Sequence, residues 1–369
     1  MTKQDKIQED IINKIVESRF RGIVIAAMRS GKTRCAIKAI QNLSKNQKPK
    51  ILVLYPNTDI KKSWIDEFIK LNYEVDVTYS TYISCYKYET EKFDFVVMDE
   101  CHLIAPGENQ LEMVGKITKH NKRVILMTGT LNDDTKNDLQ NETLLDIVCN
   151  YPIEKAIKDG IVADYKIYVH RFTLDSQTKR LFKAGKKQWY STDFKESARL
   201  TKKVVNAQYS KMWDRLKFAA LGRMRFINSC GTLIENVKRW QQVNKDKRYL
   251  LMCADSTVCS MFDIPTFNSK SKTDKNLVDF QNQKINQLAL VRKSTTGITY
   301  QNLDTVVITN IDSNSENLLQ KLSRSLLLDC PSKEANIHVF ISTELYQLKW
   351  FEKATSGIPD EKIIFKHNA

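Results

Sequence analysis

Apolar residues along the chain are grouped into short runs, each of a length that suits one β-strand. In the first half these runs lie near 22–27, 51–55, 75–79, 93–98 and 123–128, and the stretches between them are helix-prone. Strands that alternate with helices form a parallel sheet covered on both faces. Further short apolar runs lie near 166–169, 249–253, 306–308 and 336–341. The pattern predicts an α/β protein with a parallel sheet in its first half and a boundary between lobes near residue 165.

A glycine loop follows the first apolar run and precedes a helix-prone segment. Its last five residues are Arg29, Ser30, Gly31, Lys32 and Thr33. Backbone N–H groups at such a turn point into one concavity, where the helix N-terminus also favours negative charge. Lys32 would reach the terminal phosphates of a nucleotide, and the Thr33 hydroxyl would hold Mg²⁺. The loop has Ala26 in place of a first glycine, and the alternative is an ordinary glycine turn.

Two acidic residues stand at the end of the fourth apolar run, in the sequence Asp99-Glu100-Cys101-His102. Ligands of open α/β sheets bind at the carboxyl ends of strands. Asp99 would therefore face Mg²⁺, and Glu100 would act as the general base for an attacking water. The alternative for such a carboxylate pair is a helix cap.

The next apolar run ends in Thr128-Gly129-Thr130. The hydroxyls of Thr128 and Thr130 could bond to Glu100 or His102 and relay the state of the nucleotide. An ordinary strand-to-loop turn is the alternative.

A phosphate loop, a DECH box and a Thr-Gly-Thr triplet in this order resemble motifs I, II and III of superfamily 2 helicases and translocases. The likeness is greatest to DExH-type, compact phage or viral, or restriction-type DNA helicases. It implies two RecA-like domains in tandem, 1–165 and 166–369, with a basic, mostly helical insertion at about 176–232. It also implies ATP and Mg²⁺ as cofactors.

The resemblance extends to residues outside these three motifs. Gln8, which lies 23 residues before Gly31, resembles the glutamine that reads adenine in this family. The segments that resemble motifs Ia and Ib imply nucleic-acid contacts by Pro56, Asn57, Thr58, Thr81 and Tyr82.

The second half is similar to motifs V and VI. The motif V segment implies nucleic-acid contacts by Ser294 and Thr295 and a nucleotide contact by Gly297. In the motif VI segment, Gln320 and Arg324 take catalytic roles, and Arg324 would serve as the arginine finger. The distal arginine of the motif is replaced by Leu327. A register shifted by three residues, with Arg324 as the distal arginine, is the alternative.

Positive charge is concentrated in one segment. Residues 176–245 contain 17 Lys and Arg against 4 Asp and Glu, so they carry +13 of the chain's net charge of +15. Lysines interleaved with aromatic residues suit phosphate contacts and stacking on bases, and Lys183, Lys186 and Lys187 are the candidate contacts. The alternative is a solvated basic face. Trp213 lies close to Met212, Leu216 and Phe218, so we expect its ring in the core.

The chain has no apolar run long enough to span a membrane, no signal-peptide core at its start and no Cys-x-x-Cys pair among its 8 cysteines. These features favour a reduced, cytoplasmic protein, in the host cytoplasm if it is viral. The whole pattern predicts an ATP-dependent helicase or translocase in phage replication, recombination or repair. DNA is favoured over RNA, and replication or recombination proteins are possible partners. The alternatives are an RNA helicase and a nucleic-acid-binding or remodelling subunit with weak or vestigial ATPase.

Overall fold

The computed structural model divides into two compact units, Met1–Val162 and Ala163–Ala369. It describes residues 2–27, 30–44, 47–56, 58–104, 109–129, 131, 133–291, 302–311, 334–355 and 358–366.

The first unit alternates helices and strands from its beginning. Its elements are α1 (Lys3–Glu17), β1 (Arg21–Ala26), α2 (Lys32–Ser44), β2 (Lys50–Tyr55), α3 (Asp59–Lys70), β3 (Asp76–Thr81), β4 (Phe95–Asp99), α4 (Asn109–His120), β5 (Val124–Thr128), α5 (Asp133–Thr143), β6 (Ile147–Tyr151) and α6 (Ile153–Lys158). The strands form one sheet in the order β3-β2-β4-β5-β1-β6. Every pair in it is parallel.

The burial of the apolar runs in the first unit explains why they form strands. Every residue of β4 and β5 is buried, as expected for central strands of a parallel sheet with helices on both faces. Alternate residues of β2, β4 and β5 pack in one core with Val114 and Ile117 of α4. Because the strands are parallel, the loops after β1, β4 and β5 meet at one edge of the sheet.

The second unit contains another parallel sheet, and a group of helices stands between the first strand of this sheet and its other strands in the chain. Its elements are β7 (Asp164–Phe172), β8 (Arg180–Ala184), β9 (Lys187–Ser191), α7 (Asp193–Tyr209), α8 (Trp213–Ile227), α9 (Gly231–Val243), β10 (Tyr249–Cys253), α10 (Ser256–Cys259), β11 (Thr266–Phe267), α11 (Lys275–Gln281), β12 (Gln287–Val291), β13 (Thr305–Ile308), β14 (Glu334–Ser342), α12 (Leu345–Thr355) and β15 (Ile363–Lys366). The sheet order is β11-β12-β10-β13-β14-β7-β15. The first strand, β7, begins two residues before the strand start expected from the sequence.

The basic segment lies within the second unit. It opens with the antiparallel hairpin β8–β9, which the apolar pattern did not predict, and continues with α7, α8 and α9. None of the helices in the described ranges is long and apolar enough to cross a bilayer.

Arg180 links the elements of this segment through ion pairs. Its guanidinium lies 2.7 Å from Glu235 and 3.4 Å from the buried carboxylate of Asp193. Asp193 also accepts hydrogen bonds from the backbone N–H and the hydroxyl of Thr232. A Cβ at Gly231 would lie 2.3 Å from the Arg180 guanidinium, so a larger residue there would displace that group. The hairpin and the starts of α7 and α9 are therefore joined through one ionic cluster, in which the central carboxylate of Asp193 is buried.

A pair of histidines lies on neighbouring strands of the second sheet. Nε2 of His170 is 2.9 Å from Nδ1 of His338. The His338 ring packs against Tyr168 and Trp240, with centroid distances of 5.0 Å and 4.8 Å. Burial lowers the pKa of His338 from 6.5 to about 3, and the neighbouring positive charges and His170 add to the effect.

This lowered pKa makes the second unit sensitive to acid. The folded state favours neutral His338, so its contribution to stability is complete above pH 6.5 and is lost as the pH falls from there towards 3. Between pH 6.5 and 5 we expect the free energy of unfolding to fall by about 1 to 2 kcal/mol. His338→Phe, which cannot titrate, should remove this loss. Denaturant titrations followed by tryptophan fluorescence report mainly on this unit, which holds four of the five tryptophans.

The matched control is His120→Phe, at an exposed position in α4. It should leave the acid sensitivity unchanged. An equal loss in the His338→Phe variant would assign the acid sensitivity to other groups.

Candidate nucleotide-binding site

The loop between β1 and α2 has the backbone that a phosphate site requires. Gly31 has φ of +83°, and a Cβ at this position would lie 2.3 Å from Nε2 of Gln8. Ser30 is buried, and its Oγ has no hydrogen-bond partner among the described residues. A buried hydroxyl without a partner is unusual in a folded protein, and a phosphate oxygen would satisfy it.

Lys32, the first residue of α2, turns back over this loop. Its Nζ donates to the carbonyl oxygen of Ala26 at 3.1 Å. That carbonyl is a neutral acceptor, so an anionic phosphate would be a stronger one. Thr33 follows as the second residue of the helix, where its hydroxyl is available at the helix N-terminus.

Gln8 is held against the same loop by α1. Its side-chain Nε2 donates to the carbonyl oxygen of Ser30 at 3.2 Å. The backbone carbonyl oxygen of Gln8 accepts a hydrogen bond from Sγ of Cys35 at 3.8 Å. The structure thus brings the candidate adenine-reading residue next to the candidate phosphate loop, although 22 residues separate it from Ser30.

Asp99 ends β4 and is buried. One carboxylate oxygen accepts from Nε1 of Trp64 at 2.9 Å, and the other accepts from the backbone N–H of Glu100 at 2.9 Å. Burial and the nearby Glu100 raise the pKa of Asp99 to about 6, against the opposing charge of Lys32. The residues of the first two motifs therefore lie within electrostatic reach of each other.

Trp64 is a site residue that the sequence pattern did not reveal. Its side chain is fully buried in α3, where an aromatic residue of an amphipathic helix is ordinarily core. Only the tertiary structure brings its indole to Asp99, 35 residues away, so no local signal could have identified it.

A chain of polar contacts continues from Glu100. This residue is in the left-handed region, with φ of 51°, and its carboxylate lies 3.4 Å from Nδ1 of His102. The same Nδ1 is 2.8 Å from the hydroxyl of Thr128 at the end of β5. The contact expected between the third motif and His102 is present, and its relay role stays a prediction.

The remaining candidates in the first unit differ in their exposure. Pro56 and Thr58 follow β2 and Thr81 ends β3, so they lie along the same carboxyl edge as Asp99. The burial of Tyr82 contradicts the nucleic-acid contact that was expected for this residue. It is only 2% exposed, and its hydroxyl donates to the carbonyl oxygen of Asp99 at 2.7 Å. Its side chain supports the site from inside the core.

Two aromatic residues of the basic segment are exposed to solvent, in contrast to Tyr82. Trp213 is 73% exposed and Phe218 is 75% exposed, so the core position expected for Trp213 is wrong. The side of α8 that is least accessible carries Leu216, Ala219 and Ala220 instead. Lys183, Lys186 and Lys187 are exposed around the β8–β9 turn, as a binding surface requires.

Eight candidate site residues lie outside the described residues. They are Arg29, Asn57, Thr130, Ser294, Thr295, Gly297, Gln320 and Arg324.

Comparisons with known proteins agree with the fold. Residues 1–84 match the family model described as the res subunit of type III restriction enzymes. A structure of a Dbp5 variant from S. cerevisiae bound to RNA and ADP BeF3 is similar with a TM-score of 0.59 and 10% identity, covering 98% of this chain and 89% of that one. A fragment described as the HsdR subunit of a type I restriction enzyme from Vibrio vulnificus YJ016 is similar with a TM-score of 0.62 and 16% identity, covering 97% of this chain and 67% of that one. A search of curated proteins finds no match.

These findings define the class of protein by its fold. The two parallel-sheet α/β domains match a tandem RecA-like fold, and the predicted fold class is confirmed. The N-terminal quarter is similar in sequence to the restriction family.

The buried charge of Asp99 predicts a gain of stability on its removal. A carboxyl whose pKa is raised from 3.8 to about 6 favours the folded state when protonated, and this stability is lost as the pH rises through 6. Without nucleotide or Mg²⁺, Asp99→Asn should therefore raise the free energy of unfolding at pH 8 by about 1 to 3 kcal/mol. Near pH 4 the gain should disappear. Denaturant titrations followed by circular dichroism at both pH values measure the difference.

Asp133→Asn is the matched control, because the Asp133 side chain is 94% exposed. It should change stability little at either pH. A less stable Asp99→Asn protein at pH 8 would mean that the hydrogen bonds from Trp64 and Glu100 outweigh the cost of burial.

Proposed function

We propose that this protein is an ATP-dependent helicase or translocase that acts on nucleic acid, with DNA preferred to RNA. The observation that carries the proposal is the single sheet edge at which the Lys32 loop, Asp99 and the Glu100–His102–Thr128 contacts meet. The RecA-like fold alone would support many nucleotide-dependent activities, so the proposal depends on these side chains.

The side chains at this edge fit the chemistry of phosphoryl transfer. The loop N–H groups, the unpartnered Ser30 hydroxyl and the Lys32 ammonium would bind the phosphate chain. Thr33 and Asp99 are oxygen donors of the kind that Mg²⁺ takes, and the raised pKa of Asp99 indicates a carboxylate that lacks a full counter-charge. Bound Mg²⁺ would neutralise charge on the β- and γ-phosphate oxygens.

Glu100 is the candidate general base. It would accept a proton from the attacking water at its carboxylate, and His102 would orient that carboxylate from 3.4 Å. Thr128 would communicate with Glu100 through His102, which it contacts directly. Gln8 would read the adenine base. We extend the proposal, by resemblance only, to Gln320, Arg324 and Gly297.

The comparisons support nucleic acid as the partner. The Dbp5 structure contains both RNA and a nucleotide analogue, and the two restriction-enzyme matches favour DNA. We also propose, by resemblance to compact phage and viral helicases, a role in phage replication, recombination or repair in the host cytoplasm. A remodelling subunit with weak ATPase is a second candidate, favoured by Leu327 in place of the distal arginine.

The chemistry is tested by two substitutions at the sheet edge. Lys32→Ala should abolish ATP turnover because the phosphates lose their cation. Glu100→Gln should retain ATP binding and reduce turnover by about 10²- to 10⁴-fold, since the amide cannot accept the proton. Phosphate release, with and without single-stranded DNA, measures turnover, and equilibrium binding of a labelled ATP analogue measures affinity.

Lys38→Ala, farther along α2, is the matched control and should keep near-native turnover. Native turnover in the Glu100→Gln variant would remove Glu100 from the role of base. Undetectable turnover in the native protein with every nucleic acid tested would favour the second candidate.

The nucleic-acid surface is tested by the exposed lysines of the β8–β9 turn. Replacing Lys183, Lys186 and Lys187 together with Gln should weaken binding to DNA of any sequence, because fewer counterions are released. The slope of log affinity against log salt should become shallower by up to about 2 for single-stranded DNA. Fluorescence anisotropy over a salt series measures both quantities.

An equal change of charge on α4 and its end, with Lys116, Lys119 and Lys122 replaced by Gln, provides the control. Identical slopes and affinities in the two triple variants would remove the β8–β9 turn from the binding surface.

A further inference from the structure

Helices α7 and α8 form a hairpin whose base is anchored within the second unit. At its base, the buried carboxylate of Asp193 begins α7, and the buried side chain of Ile227 ends α8. Ser197 is further bonded to Glu344 at 3.0 Å. At the far end α7 finishes at Tyr209 and α8 begins at Trp213. With 17 residues in α7, this tip lies about 25 Å along the helix from the base.

The tip is apolar although it is exposed to solvent. Tyr209 is 85% exposed, Trp213 is 73% exposed and Phe218 is 75% exposed. Val205, Met212 and Leu221 of the same two helices are exposed as well. Large apolar side chains exposed together on one hairpin mark a binding site, and three of these residues are aromatic.

Cations are interleaved with these rings. On α8, Lys217 follows Trp213 by four residues and Arg225 follows Leu221 by four, so the members of each pair are neighbours on the helix surface. Lys202 and Tyr209 are seven residues apart on α7 and share a side in the same way. Residues 195–225 contain nine Lys and Arg against two Asp and Glu.

The charge decides which occupant suits this tip. A second copy of the chain would bring the same surplus of cations against itself, so self-association is disfavoured. A polyanion is attracted, and one with accessible flat rings would use the aromatic faces as well. In a duplex the faces of the bases are stacked on each other, whereas in a single strand they are free.

We propose that the tip of the α7–α8 hairpin binds unpaired bases of single-stranded nucleic acid. Trp213, Tyr209 and Phe218 stack on the bases, and Lys202, Lys217 and Arg225 contact the adjacent phosphates. This inference rests on the proposed function. It assigns base stacking to the hairpin tip and leaves the lysines of the β8–β9 turn with phosphate contacts alone.

Trp213→Ala tests the stacking directly. We expect roughly tenfold weaker binding of a fluorescein-labelled 20-nucleotide single-stranded DNA, in line with the loss of one stacked base. Binding of the matching 20-base-pair duplex should not change. The salt slope should also stay the same, because the substitution removes no cation. Trp213→Phe should keep most of the affinity, whereas Trp213→Leu, which preserves apolar volume without a π face, should not.

Val243→Ala, at an 86% exposed position on α9, is the control and should bind as the native protein does. If the native protein binds DNA and Trp213→Ala weakens neither form or both forms equally, the inference is wrong and the proposed function stands. If the native protein binds no nucleic acid, both are wrong. If Trp213→Ala leaves affinity unchanged but converts a dimer into a monomer in sedimentation velocity, the tip is an interface between copies.

Discussion

The arrangement of the site depends on parallel strand pairing. In the order β4-β5-β1, three neighbouring parallel strands end at one edge, so residues that are far apart in the chain meet without any long loop to bring them together. Lys32 comes after β1, Asp99 ends β4 and Thr128 ends β5. An antiparallel strand among these three would send one of the motifs to the opposite edge and leave the other two without it.

The position of Asp99 at this edge costs free energy because the carboxylate is buried, and the surrounding side chains offset that cost only partly. Asp99 is buried beside Glu100, and its pKa is raised although Trp64 and the Glu100 backbone donate to it and Lys32 lies within electrostatic reach. Trp64 and Tyr82 fix the carboxylate and the backbone of the same residue from two directions. They make the position rigid without supplying positive charge. A group that is rigid, buried and short of counter-charge suits a cation that arrives with its ligand.

The sequence was sufficient for five of the six strands of the first sheet and for the positions of Lys32, Asp99, His102 and Thr128. A strand end or a helix start fixes where each of these residues lies. It failed where the outcome depended on which side of an element meets a distant neighbour. Tyr82 was expected at the surface and is buried under Asp99, while Trp213 was expected in the core and is exposed. The Tyr82 expectation came from its resemblance to motif Ib, which does not show whether a side chain is covered. The Trp213 expectation came from apolar spacing, which shows that a helix has two sides but not which one will be covered. The sequence gives no sign of the role of Trp64, because its hydrogen bond to Asp99 depends on the packing of α3 alone.

The exposed position of Trp213 also changes the meaning of the basic segment. Had the aromatic residues been core, the cations alone would have defined the surface, and phosphate attraction does not distinguish one form of nucleic acid from another. Under the proposed function, rings at the tip of α7–α8 and lysines at the β8–β9 turn would make two kinds of contact from one segment. Arg180 and Asp193 join the open end of the β8–β9 hairpin to the start of α7, so the hairpin and α7 start from a common base. A segment built in this way can attract any strand through its charge and distinguish an unpaired one through its rings.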